Sequence, residues 1–195
     1  MLESLLVPTG IVALAEIGDK TQLLALLLAA RFRRPWPIIW GIVVATLANH
    51  LFAGALGNWV AGLFSPATLA WILAASFAAV ALWTLIPDKL DDDEASGLKS
   101  YGPFLTTLIA FFLAEMGDKT QIATVMLAAQ YPHLLLVVIG TTLGMLLANV
   151  PVVLAGNFAA ERLPLTLIRR IAASAFGLLA IYAAWQAARL SGWLG

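Results

Sequence analysis

Six long apolar stretches, separated by short polar segments, dominate the pattern of this sequence. Each is at least as long as the roughly 20 residues that a helix needs to cross the hydrocarbon core of a bilayer. Charge clusters and two proline-containing pairs separate the stretches at 4–30, 36–62, 67–87, 102–130, 134–160 and 166–189. This pattern predicts an all-α integral membrane protein with six transmembrane helices.

The composition agrees with that prediction. Hydrophobic residues make up 62% of the 195 positions, and charged residues make up only 11%. So few charges leave too little polar surface for a soluble globular enzyme. Cysteine is absent, which excludes a disulfide framework and a thiolate metal site.

The positions of the basic residues predict how the helices are oriented. The net charge of the chain is zero, so the protein has no excess of positive charge that would attract nucleic acid. Eight of the 11 Lys and Arg residues lie in or beside the loops after the first, third and fifth stretches, and only Arg189 lies on the opposite side. Because basic residues concentrate on the cytoplasmic side of membrane proteins, both termini are expected outside the cytoplasm.

A short polar motif occurs twice in the chain. A shift of 99 residues places Glu16–Gln22 on Glu115–Gln121, with six of the seven positions identical. The same shift also pairs Gly41 with Gly140 and Phe77 with Phe176. The chain therefore contains an internal repeat.

The repeat divides the chain into two three-helix halves, 1–87 and 102–195, joined by a cytoplasmic acidic linker, 88–101. Because three is an odd number, the second half enters the membrane from the opposite side, which predicts an inverted repeat. Secondary transporters with inverted repeats bind their substrates near the bilayer midplane, where the repeats meet. Both motifs lie about halfway along their helices, so they are expected to meet at one site.

The motif residues are suited to binding a cation. On a continuous helix, which turns by about 100° per residue, the ionic side chains of each motif share one face. Two such faces opposite each other would offer four carboxylates and two carboxamides. The candidate metal ligands are Glu16, Asp19, Gln22, Glu115, Asp118 and Gln121, with Lys20 and Lys119 as counter-charges. Oxygen-only sites suit Mn²⁺, Ca²⁺ or Mg²⁺.

The charge balance of the motifs indicates which ions the site exchanges, and no resident cofactor is expected. Four carboxylates and two ammonium groups leave a net charge of minus two. One divalent ion or two protons would neutralise it, which suggests exchange of a divalent cation for protons. The competing interpretation pairs each motif's glutamate with the lysine four residues later as a buried helix contact, but it leaves both aspartates unpaired.

Three polar residues lie near the motifs in the predicted arrangement. Asn49 and Asn149 are related by the repeat after one inserted residue and are further candidate ligands; hydrogen bonding between helices explains them equally well. His50, whose repeat position holds Val150, is either a proton relay or a hydrogen-bonded packing residue.

The acidic run 91–94 in the linker has two interpretations. It either collects divalent ions or is a solvated linker.

Two copies of Glu-x-Gly-Asp-Lys/Arg-Ser/Thr in a chain of six predicted spans closely resemble the membrane cation/proton exchangers that include the Golgi manganese and calcium transporter and bacterial manganese exporters. Every motif position matches in both copies, through Glu16, Gly18, Asp19, Lys20, Thr21 and Glu115, Gly117, Asp118, Lys119, Thr120. The resemblance covers essentially the whole chain. It implies export of Mn²⁺, or otherwise Ca²⁺, from the cytosol in exchange for protons. Eukaryotic relatives carry an N-terminal targeting extension that this chain lacks, so the expected location is a prokaryotic inner membrane.

Other functions are compatible with the same residues. Lys20 or Lys119 would suit the carboxylate of a small organic ion such as an amino acid, and a divalent cation channel would need the same ligands. An intramembrane protease could use paired acids, but it would not need two lysine-containing motifs, so enzymatic activity is not expected. Gly140 and Gly144 permit close helix packing either within one chain or between protomers, which leaves the oligomeric state open.

Overall fold

The computed structural model describes residues 1–87, 101–155 and 165–193, and in these ranges every regular element is helical. The acidic linker up to residue 100 and the end of the fifth apolar stretch, 156–160, lie outside the described residues. The helices are α1 (Glu3–Glu16), α2 (Lys20–Phe32), α3 (Pro35–Ala61), α4 (Pro66–Thr84), α5 (Pro103–Glu115), α6 (Lys119–Gln130), α7 (Leu134–Ala155) and α8 (Leu165–Leu190).

Four of the predicted helices are continuous over the residues that the structure describes. Helices α3, α4, α7 and α8 each begin within one residue of the predicted start, and each is long and apolar enough to cross a membrane. Their outward faces carry large apolar side chains, and Phe52, Leu147 and Ile181 are each more than 60% exposed. Such an apolar surface is typical of contact with lipid.

The other two predicted helices, 4–30 and 102–130, are each broken at the motif, so the prediction that they are continuous was wrong. Helix α1 ends at Glu16, and α2 begins at Lys20 after Ile17 in an extended conformation and Gly18 with a φ of +83°. The second break has the same form, with Gly117 at a φ of +79°. Only glycine adopts this left-handed region readily, so the motif glycine forms the turn that separates the two half-helices.

The two halves pack mainly on each other, and several contacts occur twice, once with the roles of the two halves interchanged. Helix α1 packs on α7, and their counterparts in the repeat, α5 and α3, pack in the same way. Helix α2 contacts α7, as α6 contacts α3. Helix α4 packs on its own counterpart α8, where the rings of Phe77 and Phe176 lie 6.5 Å apart. This pattern packs the motif-bearing half-helices against the long helices of the other half and buries the motif acids at the breaks.

Glycines on α3 and α7 allow the closest of these contacts. A Cβ atom on Gly140 would lie 2.5 Å from the carbonyl oxygen of Leu5, and one on Gly41 would lie 2.8 Å from that of Phe104. These two contacts are related by the repeat. Gly144 also faces the backbone of α1. The two glycines of α7 therefore serve packing within the chain.

Candidate cation site

The helix breaks bring three of the four predicted motif carboxylates together. Glu16, Asp19 and Asp118 are buried, and each offers one oxygen that lies within 4.8 Å of the oxygens of the other two. Glu16 and Asp19 belong to the first motif, whereas Asp118 belongs to the second. This carboxylate cluster therefore lies where the two halves meet.

Two threonine hydroxyls orient the carboxylate of Glu16. Thr21 Oγ1 donates to Glu16 Oε2 at 2.6 Å, and Thr120 Oγ1 donates to Oε1 at 2.5 Å. Each oxygen keeps lone-pair capacity for a cation after accepting one hydrogen bond. Neither threonine is among the predicted ligands, although the place of each in its copy of the motif was the available signal.

The two motif lysines are equivalent in sequence but differ in the structure. Lys119 is buried, and its Nζ lies 3.0 Å from Asp19 Oδ1. This ion pair crosses between the halves, unlike the pairing within one helix that the sequence suggested as an alternative. Lys20 is partly exposed, and its backbone N–H donates to Asp19 Oδ1 at 2.7 Å. Lys119 is thus the lysine whose charge faces the carboxylate cluster.

The two predicted glutamine ligands stabilise the helix breaks. The N–H of Gly18 donates to Gln22 Oε1 at 2.9 Å, and the N–H of Gly117 donates to Gln121 Oε1 at 2.8 Å. A helix break leaves backbone N–H groups without their usual carbonyl acceptors. At each break a glutamine oxygen accepts a hydrogen bond from one such N–H group. Both glutamines are therefore adjacent to the site and engaged in holding the motif conformation.

The two predicted asparagine ligands have different surroundings. Asn49 Nδ2 donates at 3.0 Å to the carbonyl oxygen of Phe112, one of the carbonyls left open in the last turn of α5, and its Oδ1 accepts from Gln121. Asn149 Nδ2 donates to the carbonyl oxygen of Met145 within its own helix at 3.1 Å. The buried Oδ1 of Asn149 accepts no hydrogen bond from the described residues. Asn49 therefore stabilises the break between α5 and α6. Asn149, by contrast, has a buried side-chain oxygen that could act as a ligand.

The fourth predicted carboxylate, Glu115, is not among the three whose oxygens lie within 4.8 Å of one another. Glu115 is fully buried and is not part of the carboxylate cluster. Neither of its oxygens accepts a hydrogen bond from the described residues, and Oε2 lies 3.9 Å from His50 Nε2. The two motif glutamates therefore have different neighbours. His50 lies beside Glu115, whereas two threonine hydroxyls donate to Glu16.

The charge and the ligands of the carboxylate cluster suit a hard divalent cation. With its acids ionised, the cluster and Lys119 together carry three negative charges and one positive charge, which leaves minus two. All of the cluster's ligand atoms are carboxylate oxygens, which bind Mn²⁺, Ca²⁺ and Mg²⁺ well. Two broken helices that meet around buried charged groups are the arrangement of a membrane transporter.

Comparison with known proteins identifies the family. A family model described as "Divalent cation/proton antiporter GDT1" matches residues 4–92 and again residues 103–191. The two matched ranges begin 99 residues apart, at 4 and 103, which is the shift that relates the motif copies. The chain therefore belongs to the GDT1 family of divalent cation/proton antiporters, which are membrane transporters.

Curated relatives support the same assignment. A Vibrio cholerae protein named "Putative manganese exporter" is 58% identical over 175 residues, which cover 89% of this chain and 86% of that protein. A GDT1-like protein of Synechocystis is 29% identical over 90% of this chain and 93% of its own length. A GDT1-like protein of Arabidopsis thaliana is 30% identical, with 86% and 87% covered. No solved structure matches this chain.

Replacing either motif glycine with alanine is expected to disrupt the helix breaks. Gly18→Ala and Gly117→Ala each force a Cβ atom into the left-handed region, at a cost of about 1–2 kcal/mol. At Gly18 the new Cβ would also lie 2.8 Å from Leu165 Cδ2, whereas nothing lies within 4 Å at Gly117. We expect at least about a tenfold loss of divalent cation flux in proteoliposomes for both variants, and a larger loss for Gly18→Ala.

The matched control is Gly177→Ala, since Gly177 lies within α8 and a Cβ there has nothing within 4 Å. This variant is expected to keep normal flux. Full flux in both motif variants would show that transport does not need the left-handed turns.

Proposed function

We propose that this protein exports Mn²⁺ from the cytosol in exchange for protons, with Ca²⁺ as the less favoured substrate. The observation that carries the proposal is the buried carboxylate cluster of Glu16, Asp19 and Asp118, which both motifs build and which Lys119 contacts. The Vibrio cholerae relative bears the name of a manganese exporter, and the family description names proton antiport. The ion is cargo in this proposal, and no resident cofactor is needed.

The proposed membrane arrangement has six spans in two inverted repeats, 1–87 and 102–195. Helices α1 and α2 together cross the bilayer once, and α5 and α6 together cross it once, because none of these half-helices is long enough alone. Helices α3, α4, α7 and α8 provide the other four spans. The breaks then lie near the midplane of a prokaryotic inner membrane, with both termini outside the cytoplasm.

Proton coupling follows from the charge of the site. An empty cluster with net charge minus two is costly in a low-dielectric membrane interior, and protons on the carboxylates lower that cost. An arriving divalent cation displaces these protons and separates Lys119 from Asp19. On the other side of the membrane, protons replace the cation. The charge count corresponds to two protons for each divalent ion.

The test is uptake of Mn²⁺ and of Ca²⁺ into proteoliposomes with the internal pH recorded at the same time. We expect an opposing proton gradient to drive Mn²⁺ flux, and the heat of Mn²⁺ binding to differ between two buffers of different ionisation enthalpy because protons are released. Flux that ignores the gradient, together with identical heats, would favour a channel. Calorimetric binding of amino acids without binding of Mn²⁺ would favour an organic-ion exporter.

Cysteine labelling tests the proposed orientation, since the natural chain contains no cysteine. Single cysteines at Arg33, Asp92 and Arg169 are expected to stay unlabelled when intact cells meet a membrane-impermeant thiol reagent, because the positive-inside rule puts these loops in the cytoplasm. A cysteine at the exposed residue Ser191 is the positive control and is expected to react. Strong labelling at the first three sites with none at Ser191 would reverse the orientation.

A further inference from the structure

His50 and Glu115 are buried side chains whose polar atoms have no hydrogen-bond partner in the described part of the chain. Both residues are 0% exposed. Neither ring nitrogen of His50 and neither carboxylate oxygen of Glu115 has a hydrogen-bond partner among the described residues. Buried polar atoms are nearly always paired with protein, water or an ion. Four such atoms on two neighbouring side chains therefore point to a ligand between them.

A third buried group lies on the same face of α3. Thr46 precedes His50 by four residues, which places both side chains on one side of the helix. Its Oγ1 is also buried without a hydrogen-bond partner in the described ranges. Helix α3 thus carries one imidazole and one hydroxyl on the face from which His50 approaches Glu115.

The spacing between the first two groups suits one metal ion. His50 Nε2 and Glu115 Oε2 lie 3.9 Å apart, which is too long for a direct hydrogen bond. Two metal–ligand bonds of about 2.1 Å each, meeting at a bent angle, span this distance. The carboxylate would bring negative charge to such an ion, and the neutral imidazole would bring nitrogen.

We propose that Glu115 and His50 form a second cation position, next to the carboxylate cluster, which selects transition-metal ions such as Mn²⁺ against Ca²⁺. The inference rests on the proposed function and identifies the residue that distinguishes its two candidate substrates. Ca²⁺ takes oxygen ligands, whereas imidazole nitrogen is a common ligand of transition metals. The carboxylate cluster contains only oxygen and cannot make that distinction through ligand type.

The repeat supports a special role for this position. Glu16, the counterpart of Glu115, accepts hydrogen bonds from two threonine hydroxyls. Val150 stands where the second half would carry the counterpart of His50. The nitrogen ligand is therefore present beside only one of the two motif glutamates, so the two halves present different ligand sets to the ion.

The first experiment uses the full-length protein with Mn²⁺ alone and reads the metal's surroundings by pulsed electron paramagnetic resonance. A coupling between Mn²⁺ and an imidazole ¹⁴N nucleus is expected in the natural protein and in His133→Asn, and it should be absent in His50→Asn. His133 is the matched control because it is the other histidine of the chain and its side chain is exposed. This readout needs no transport.

The second experiment measures Mn²⁺ and Ca²⁺ affinities by calorimetry for the same three proteins. His50→Asn is expected to weaken Mn²⁺ binding by about tenfold or more and to change Ca²⁺ binding by less than about twofold, so that the selectivity ratio falls. His50→Gln tests the same point if the asparagine variant does not fold.

Three outcomes would overturn this proposal. A natural protein that transports Mn²⁺ but shows no nitrogen coupling would overturn the second cation position alone, and the proposed function would stand. An equal loss of Mn²⁺ and Ca²⁺ affinity in a folded His50 variant would overturn the selectivity. A natural protein that neither binds nor transports Mn²⁺ would overturn the proposed function and this inference together.

Discussion

Replacing Glu16, Asp19 or Asp118 with its amide is expected to lower Mn²⁺ transport by about 100-fold or more. Each amide keeps the shape of the side chain but removes one of the negative charges that the cluster offers to the cation. Loss of even an outer-shell contact to a metal ligand typically costs 10–100-fold in affinity, so loss of a charged ligand should cost more. Transport into proteoliposomes measures the effect. Glu115→Gln is also expected to be nearly inactive.

The matched control is Glu3→Gln, since Glu3 is an exposed acid in the first turn of α1, on the same helix as Glu16. This variant should transport normally. All variants should reach the membrane in similar amounts, because an amide in a buried polar site removes a charge rather than adding one. Near-normal flux in all four motif amides would show that the cation binds elsewhere.

Replacing Lys119 with methionine is expected to separate cation binding from transport. The Lys119 ammonium lies 3.0 Å from Asp19 Oδ1 and therefore competes with an arriving cation for that carboxylate. Without it, the cluster keeps its negative charges and loses the buried charge that balances them. We expect Lys119→Met to bind Mn²⁺ at least about tenfold more tightly and to transport it at least about tenfold more slowly, because release is hindered.

Lys20→Met is the matched control, since Lys20 holds the same motif position in the other half but is partly exposed. Its effects on affinity and flux are expected to be smaller, because Lys119 and not Lys20 provides the ammonium that lies 3.0 Å from Asp19 Oδ1. Calorimetry gives the affinities, and flux into proteoliposomes gives the rates. Weaker binding in Lys119→Met, or equal effects of the two replacements, would contradict the role of Lys119 as a competitor for Asp19.

Much of the fold was predictable because its signals are local. The starts of α3, α4, α7 and α8 were predicted within one residue, since a bilayer demands about 20 apolar residues and the chain marks the ends of each stretch with polar residues and proline. The helix breaks were missed at Gly18 and Gly117. A glycine inside an apolar helix is tolerated at about 1 kcal/mol, so its presence alone does not indicate a left-handed turn.

The sequence by itself determined a membrane-spanning helical protein, its internal repeat and a set of hard oxygen ligands, because these depend on composition, length and identity between two segments. Only the tertiary structure decided that Lys119 contacts Asp19 and that Glu115 lies beside His50. The two motifs are nearly identical, so each forms the same local turn. The motif sequences alone therefore cannot explain why the corresponding side chains have different contacts in the two halves. His50 on α3 makes one such contact: its repeat position on α7 holds Val150, and His50 meets Glu115 only because the two halves pack together.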